Sequence, residues 1–289
     1  MSVETWDKGE IKKLAFASGK PLEVQCAEGF LKAGWNARLG SFYHDVSSDK
    51  IRELDVYIRK ERLISTPNLR CNASIRILGS CKGFPAEHTP VTYSVSQSRN
   101  LALKPIFMYG GRGRFGPIRP DMGERGAEFF LHRSRLSQSK QVVGFDIFNR
   151  KENGKKPGEF EYARKTDRDL YDGLDSAIKA AIYWSGEDTK RYRKELGQNE
   201  CYAIMTIPLL VTQLPFWDVT IDEGKPSEPE IRYSGHFVGV FPFGEEDGRP
   251  QPILSILWAV SNLSDLIQTL DHVFEEFVDV ISETLNKRS

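Results

Sequence analysis

The segment Arg52–Lys60 leaves the chain the fewest structural options. Apolar Leu54, Val56 and Ile58 alternate with Glu53, Asp55 and Tyr57. A period of two suits a strand, whose successive side chains point to opposite faces. The spacing predicts a strand with a core-facing side and an acid-bearing side. A second strand is expected from Ser74 to about Lys82, with Ile75 and Ile77 pointing one way and Leu78, Ser80 and Lys82 the other. Any fold for this chain has to place these two strands first.

Other elements arrange themselves around that pair. Leu22, Cys26, Phe30 and Leu31 fall at helical spacing in Pro21–Ala33, and Gly34 is placed to end the helix. Trp35–Tyr43 reads as a short strand and Asp45–Lys50 as a polar turn. Farther on, Thr166 is expected to cap an amphipathic helix, with Asp169 at the fourth place of a capping-box pattern and Leu170, Leu174, Ile178 and Ile182 on one face. Tyr202–Thr212, Phe216–Ile221 and His236–Phe243 are apolar runs of strand length, and Glu223–Glu230 reads as a charged, Pro-broken loop between them. A last helix, about residues 264–286, carries Leu266, Leu270, Phe274, Phe277, Val278 and Ile281 on one side. That stripe either packs on the body of the protein or joins two copies of the chain as a homodimer. Between residues 105 and 160, Gly, Pro and Arg break any periodicity. The expected fold class is α/β: one domain over residues 1–289, with a mixed sheet flanked by helices, an irregular basic insertion at about 99–165, and a completing helix and strands at 166–245.

Charge divides the chain unevenly. Its 289 residues carry 40 Lys+Arg and 40 Asp+Glu, which argues against a basic protein that coats DNA. Yet residues 99–168 hold 16 Lys/Arg against 8 Asp/Glu, whereas residues 218–289 hold 5 against 14. One surface could therefore meet a polyanion while another repels it. The four cysteines, Cys26, Cys71, Cys81 and Cys201, are too scattered for a disulfide framework, and no CxxC pair suggests structural zinc. With no apolar run of membrane-spanning length and no apolar leader, a cytoplasmic protein with reduced thiols is expected, without a membrane partner. Gly111-Arg112-Gly113-Arg114-Phe115-Gly116 formally matches a dinucleotide fingerprint, but Pro117 and Pro120 oppose the helix that such a site needs. As a loop it offers Arg112, Arg114 and Arg119 to nucleic-acid phosphates. Trp184, Tyr192 and Trp217 either stack on bases or fill cores. The five histidines are dispersed, and no Walker A motif is present.

The two strands also carry the chemistry. Hydrolysing a phosphodiester at neutral pH calls for a hard cation that activates water and neutralises developing charge. Magnesium takes oxygen ligands, commonly one or two carboxylates with phosphate and water, and a lysine nearby can stabilise transition-state charge. Asp55 stands on the polar face of its strand, while Ser80 and Lys82 are two residues apart on one face of the next. The order of a Glu-bearing helix, the strand Arg52-Glu53-Leu54-Asp55-Val56, and an apolar strand ending Cys81-Lys82-Gly83 resembles the PD-(D/E)xK nuclease superfamily, with its restriction-endonuclease-like fold. The resemblance covers roughly residues 20–85. It implies Asp55 as the first metal-binding carboxylate, Lys82 as the catalytic lysine and Glu23 as the assisting helix acid, with magnesium as cofactor and DNA as partner. Ser80 stands where the second acid of the family belongs, and Gly79 replaces the bulky residue usual before it. Either cleavage is weakened or lost, or the chain is a non-catalytic nucleic-acid-binding or protein-interaction module. Glu53 and Glu87 are the two acids near enough in sequence to substitute for the missing one, and His88 follows closely.

Overall fold

The computed structural model describes residues 7–9, 19–83, 88–96, 106–111, 119–120, 140–150, 160–162, 164–213, 215–222, 225–246 and 249–286. Helix α1 (Lys20–Lys32) leads into an antiparallel meander of β1 (Asn36–Asp45), β2 (Lys50–Ser65) and β3 (Arg70–Lys82). Then come β4 (His88–Ser96), β5 (Ile106–Gly111), β6 (Arg119–Pro120), β7 (Lys140–Arg150) and β8 (Phe160–Tyr162). Helix α2 (Arg164–Glu195) carries the chain to β9 (Glu200–Thr212), which pairs with β3 in parallel along its whole length. Strands β10 (Phe216–Asp222), β11 (Lys225–Ser234), β12 (His236–Glu246) and β13 (Arg249–Ala259) follow, and helix α3 (Leu263–Asn286) closes the described chain.

The strands belong to one mixed sheet, in the order β1-β2-β3-β9-β13-β12-β7-β4-β10-β11. The far edge of β9 is shared: β5 pairs with Cys201–Thr206 and β13 with Leu209–Thr212. Alternation along β3 and β9 builds two cores. Ile75, Ile77, Met205, Ile207 and Leu209 face α1 and α3, contributing to a cluster with Leu22, Cys26, Phe30 and the α3 stripe. Leu78 and Leu210 face the opposite way, into a cluster with Leu170, Leu174 and Ile178 of α2. The protein is therefore α/β, with α1 and α3 on one side of the sheet and α2 on the other. Leu266, Leu270, Phe274, Phe277, Val278 and Ile281 are all buried within the chain itself. Pairing of two chains through this helix would have to use its other face. Among the described residues, no helix is long and apolar enough to cross a membrane.

Several local expectations need correction. The long helix starts at Arg164, ahead of the expected cap at Thr166. The segment taken for a Pro-broken loop is largely β11, an antiparallel partner of β10. Proline is tolerated there because β11 is the last strand in the sheet order, where one side of the backbone needs no ladder partner. Strand β13, read as no element, has prolines only near its start; its Ile253, Ile256 and Leu257 are buried. The unreadable stretch holds β5 to β8; β5 and β7 are placed by partners distant in sequence, β9 for the one and β4 and β12 for the other.

Strand β2 also departs from strict alternation of environments. Val56 and Ile58 lie in the core under α1 and α3, whereas Leu54 belongs to the core under α2. The exchange occurs at Asp55. Pairing with β1 passes from Leu39↔Val56 to Ser41↔Leu54, stepping over Asp55 and Gly40. Gly40 has φ +64, a backbone conformation open to glycine and strained for most other residues. On the other side, the β2–β3 ladder ends at Val56↔Gly79. A Cβ at Gly79 would lie 2.5 Å from Cγ2 of Val56, so glycine is what permits the close approach just before the strands part.

Candidate active site

The parting of β2 and β3 leaves a backbone donor at Cys81 for a side chain to satisfy. Asp55 does so: its Oδ2 accepts the Cys81 N–H at 2.7 Å and the Ser80 hydroxyl at 3.0 Å. A carboxylate thus replaces the next ladder rung, which ties Asp55 to the end of β3. Ser80 is buried and Asp55 is half-buried. Among the described residues nothing donates to Asp55 Oδ1.

Lys82 lies two residues beyond Ser80 on the same strand face, a separation of about 6.5–7 Å along a strand. Its stem runs along α2. A Cβ at Gly173 would come within 2.7 Å of Lys82 Cε and 3.3 Å of its Cγ, so the bare helix backbone makes room for the lysine. Lys82 remains half-buried, and no ion-pair partner is present for it among the described residues.

Helix α1 brings the second acid. Its N-cap, Gly19, has φ +76 and sits against the end of β3, where a Cβ would be 3.1 Å from the Cys81 carbonyl oxygen. Pro21 stands in the first turn, where its missing N–H costs no helix bond. Glu23 follows in the same turn and is buried. Burial pushes its carboxyl above the usual carboxylate range; a hydrogen bond from Lys20 pulls it back, and the nearby charges of Asp55 and Glu53 push it up again. The net direction is upward, with burial the main cause and the charge of Asp55 a smaller contribution.

Lys20 was not singled out by sequence. Its Nζ donates to Glu23 Oε2 at 3.0 Å and to Glu53 Oε1 at 3.4 Å. The i,i+3 spacing of Lys20 and Glu23 was the available signal, but it resembles any surface pair at a helix start. Gly40 and Gly173 were equally hidden, because the need for each arises from a partner element. Glu53, one candidate for the missing acid, is exposed and engaged by Lys20. Glu87 lies outside the described residues, as do Arg112 and Arg114. His88 and Arg119 have described backbones in β4 and β6, with their side chains outside the description. Of the aromatics, Tyr192 is buried and stacked on Tyr202, Trp184 packs edge-on against Tyr57, and exposed Trp217 lies against Tyr233.

A second charged site on the α2 face of β3 is sealed. Arg76 is fully buried and pairs with Asp188 of α2, with its guanidinium over the Tyr57 ring. Burial disfavours its charge, and Asp188 more than compensates. It belongs to the packing of α2 on the sheet.

The donor set can be tested against the magnesium that the resemblance implies. Asp55 and Glu23 each use Oδ2 or Oε2 in the hydrogen bonds above, leaving one oxygen apiece. Two carboxylates, with phosphate and water completing the shell, fit the ordinary demands of magnesium. At position 80, however, a neutral hydroxyl donates to Asp55 where a second strand acid would add charge. Among the described residues no group of three or more His, Cys, Asp or Glu side chains is arranged to hold a metal ion. Comparison with protein-family models, curated proteins and solved structures finds no match.

Proposed function

We propose that this chain is a restriction-endonuclease-like protein that engages DNA phosphodiesters at the Asp55–Lys82 site, with metal-assisted cleavage weakened or lost through Ser80. The observation that carries the reading is the interlock at the end of the β2–β3 ladder. There Asp55 is held by Ser80 and Cys81, Lys82 follows on the same strand, and Glu23 enters from α1. The element order supports it as well. A Glu-bearing helix, a meander, then a helix and a further apolar strand is what the resemblance implies, and β9 completes the core beside β3.

In this reading Asp55 and Glu23 would hold magnesium, which when bound supplies charge neutralisation and an activated water. The chain's own residues do the rest. Lys82, its stem fixed against Gly173, presents a cation to a phosphate oxygen. Ser80 fixes the direction of the Asp55 carboxylate, but it brings no negative charge to the site. The basic segment 99–168, with Arg112, Arg114 and Arg119, supplies non-specific attraction to the phosphate backbone.

Binding of labelled duplex and single-stranded DNA, measured at several salt concentrations, tests the proposal. Wild type should bind in a salt-sensitive manner, and Lys82→Ala should weaken binding by a few fold, about what one phosphate contact contributes. Charge reversal at Arg112 and Arg114 should weaken it further and flatten the salt slope. Salt-independent binding, or none, would overturn the assignment of DNA as partner.

A further inference from the structure

Lys20 is a cation in an unfavourable place. It is the first residue of a 13-residue helix, where the partial positive charge of the N-terminus disfavours a lysine. A local rule broken at a site calls for a compensating interaction. Here the compensation is specific: one ammonium bridges buried Glu23 on its own helix and Glu53 on β2, two residues from Asp55. The side chain of Glu23 is 5% exposed, and that of Lys20 is 59% exposed. The acid is therefore fixed in the protein, while its cation reaches it from the solvent side.

We propose that the Lys20 ammonium is the resident cation of this acidic cluster and sets its affinity for divalent metal, competing with the metal for Glu23. The inference rests on the reading of Glu23 and Asp55 as the metal-binding acids, and it adds a residue which that reading does not contain. Two features follow from the geometry. A divalent ion drawing on Glu23 has to displace the ammonium or share its oxygens, so the two are thermodynamically antagonistic. Displacement is sterically open because the lysine approaches from solvent. The missing acid at Ser80 and the added cation at Lys20 then act in the same direction, each lowering the net negative charge offered to a metal.

The test is a manganese titration of the full chain, following free Mn²⁺ by electron paramagnetic resonance, with no nucleic acid present. Lys20→Met should tighten Mn²⁺ binding by about tenfold relative to wild type, within the usual range of coupling between two sites. Lys20→Arg, which keeps the charge, should stay near wild type. Adding Glu23→Gln to Lys20→Met should abolish the gain. If Lys20→Met and wild type titrate alike, including the case where neither binds Mn²⁺, the inference is overturned. A gain that survives Glu23→Gln overturns it too. The DNA reading fails separately: a chain that gains Mn²⁺ affinity in Lys20→Met but never binds DNA keeps the inference and loses the proposed partner.

Discussion

Two aspartates, one at the end of β1 and one within β2, show what separates a saturated carboxylate from one with an oxygen to spare. Asp45, at the β1–β2 turn, is buried and saturated. It accepts the Ser47 N–H and hydroxyl, the Ser48 hydroxyl and the Arg52 Nε–H, with Lys179 of α2 at 3.7 Å. Asp55, ten positions on, is half-buried, uses one oxygen for two donors, and keeps the other open among the described residues. Every capacity of Asp45 serves the turn. Asp55 is held firmly enough to have a direction, and it retains an oxygen with which to do something. Charge and strand position alone would not distinguish them; the number of donors already spent does.

The contrast can be broken by mutation, and the largest effect is expected at Asp45. Asp45→Asn should destabilise the fold by about 3 kcal/mol, because its amide NH2 would face two donors from which a buried carboxylate oxygen now accepts. Denaturant unfolding at neutral pH measures this. The pH dependence sharpens it. Burial pushes the Asp45 carboxyl up, but the Ser47, Ser48 and Arg52 bonds and the Lys179 charge hold it far below its ordinary 3.8. For a depressed carboxyl the stabilisation is full above the ordinary value and is lost as the pH falls below it. The stability gap between wild type and Asp45→Asn should therefore shrink steadily below about pH 4. Glu23, displaced upward, has the opposite sign: its ionisation costs stability as the pH rises above 4.5.

Gly79→Ala comes next, at about 2 kcal/mol, since the new methyl meets Val56 in a packed core with little room to give. It should loosen the close approach that precedes Asp55, and thermal unfolding reads the loss. Asp55→Asn is expected to have the smallest effect on stability, about 1 kcal/mol, because an amide oxygen can still accept from Ser80 and Cys81. Its consequence belongs to binding instead: Mn²⁺ affinity should fall while the fold persists. An Asp55→Asn variant as unstable as Asp45→Asn would remove the distinction between the two residues.

How much of this was legible in the sequence depended on how local the cause was. The alternation at Leu54–Ile58 and the 3.6-residue stripes of Leu170–Ile178 and Leu266–Ile281 are local patterns, and each element formed where its pattern lies. The β11 strand was misread because its Glu and Pro content looks like loop; edge position, a property of the assembled sheet, makes that content acceptable. At the site, a hairpin of this length was expected to bring Asp55 beside Lys82; the bonds that Asp55 makes are to Ser80 and Cys81. The passage of Leu54 to the other core was not legible, because it depends on Gly40 in β1 and on where the β3 ladder stops. Lys20 escaped for a similar reason. Its second partner, Glu53, is thirty-three residues away in sequence.

The most direct test of the central claim restores the acid that the site lacks. Ser80→Glu, assayed on supercoiled plasmid with Mg²⁺ or Mn²⁺ alongside the Ser80→Glu/Lys82→Ala double variant, asks whether the end of β3 is a nuclease site short of one carboxylate. The account predicts metal-dependent cleavage by Ser80→Glu that the double variant lacks, together with a rise in its thermal stability on adding Mn²⁺ that wild type shows only weakly. A folded Ser80→Glu protein that neither cleaves nor is stabilised by Mn²⁺, or cleavage that is indifferent to Lys82, would contradict it.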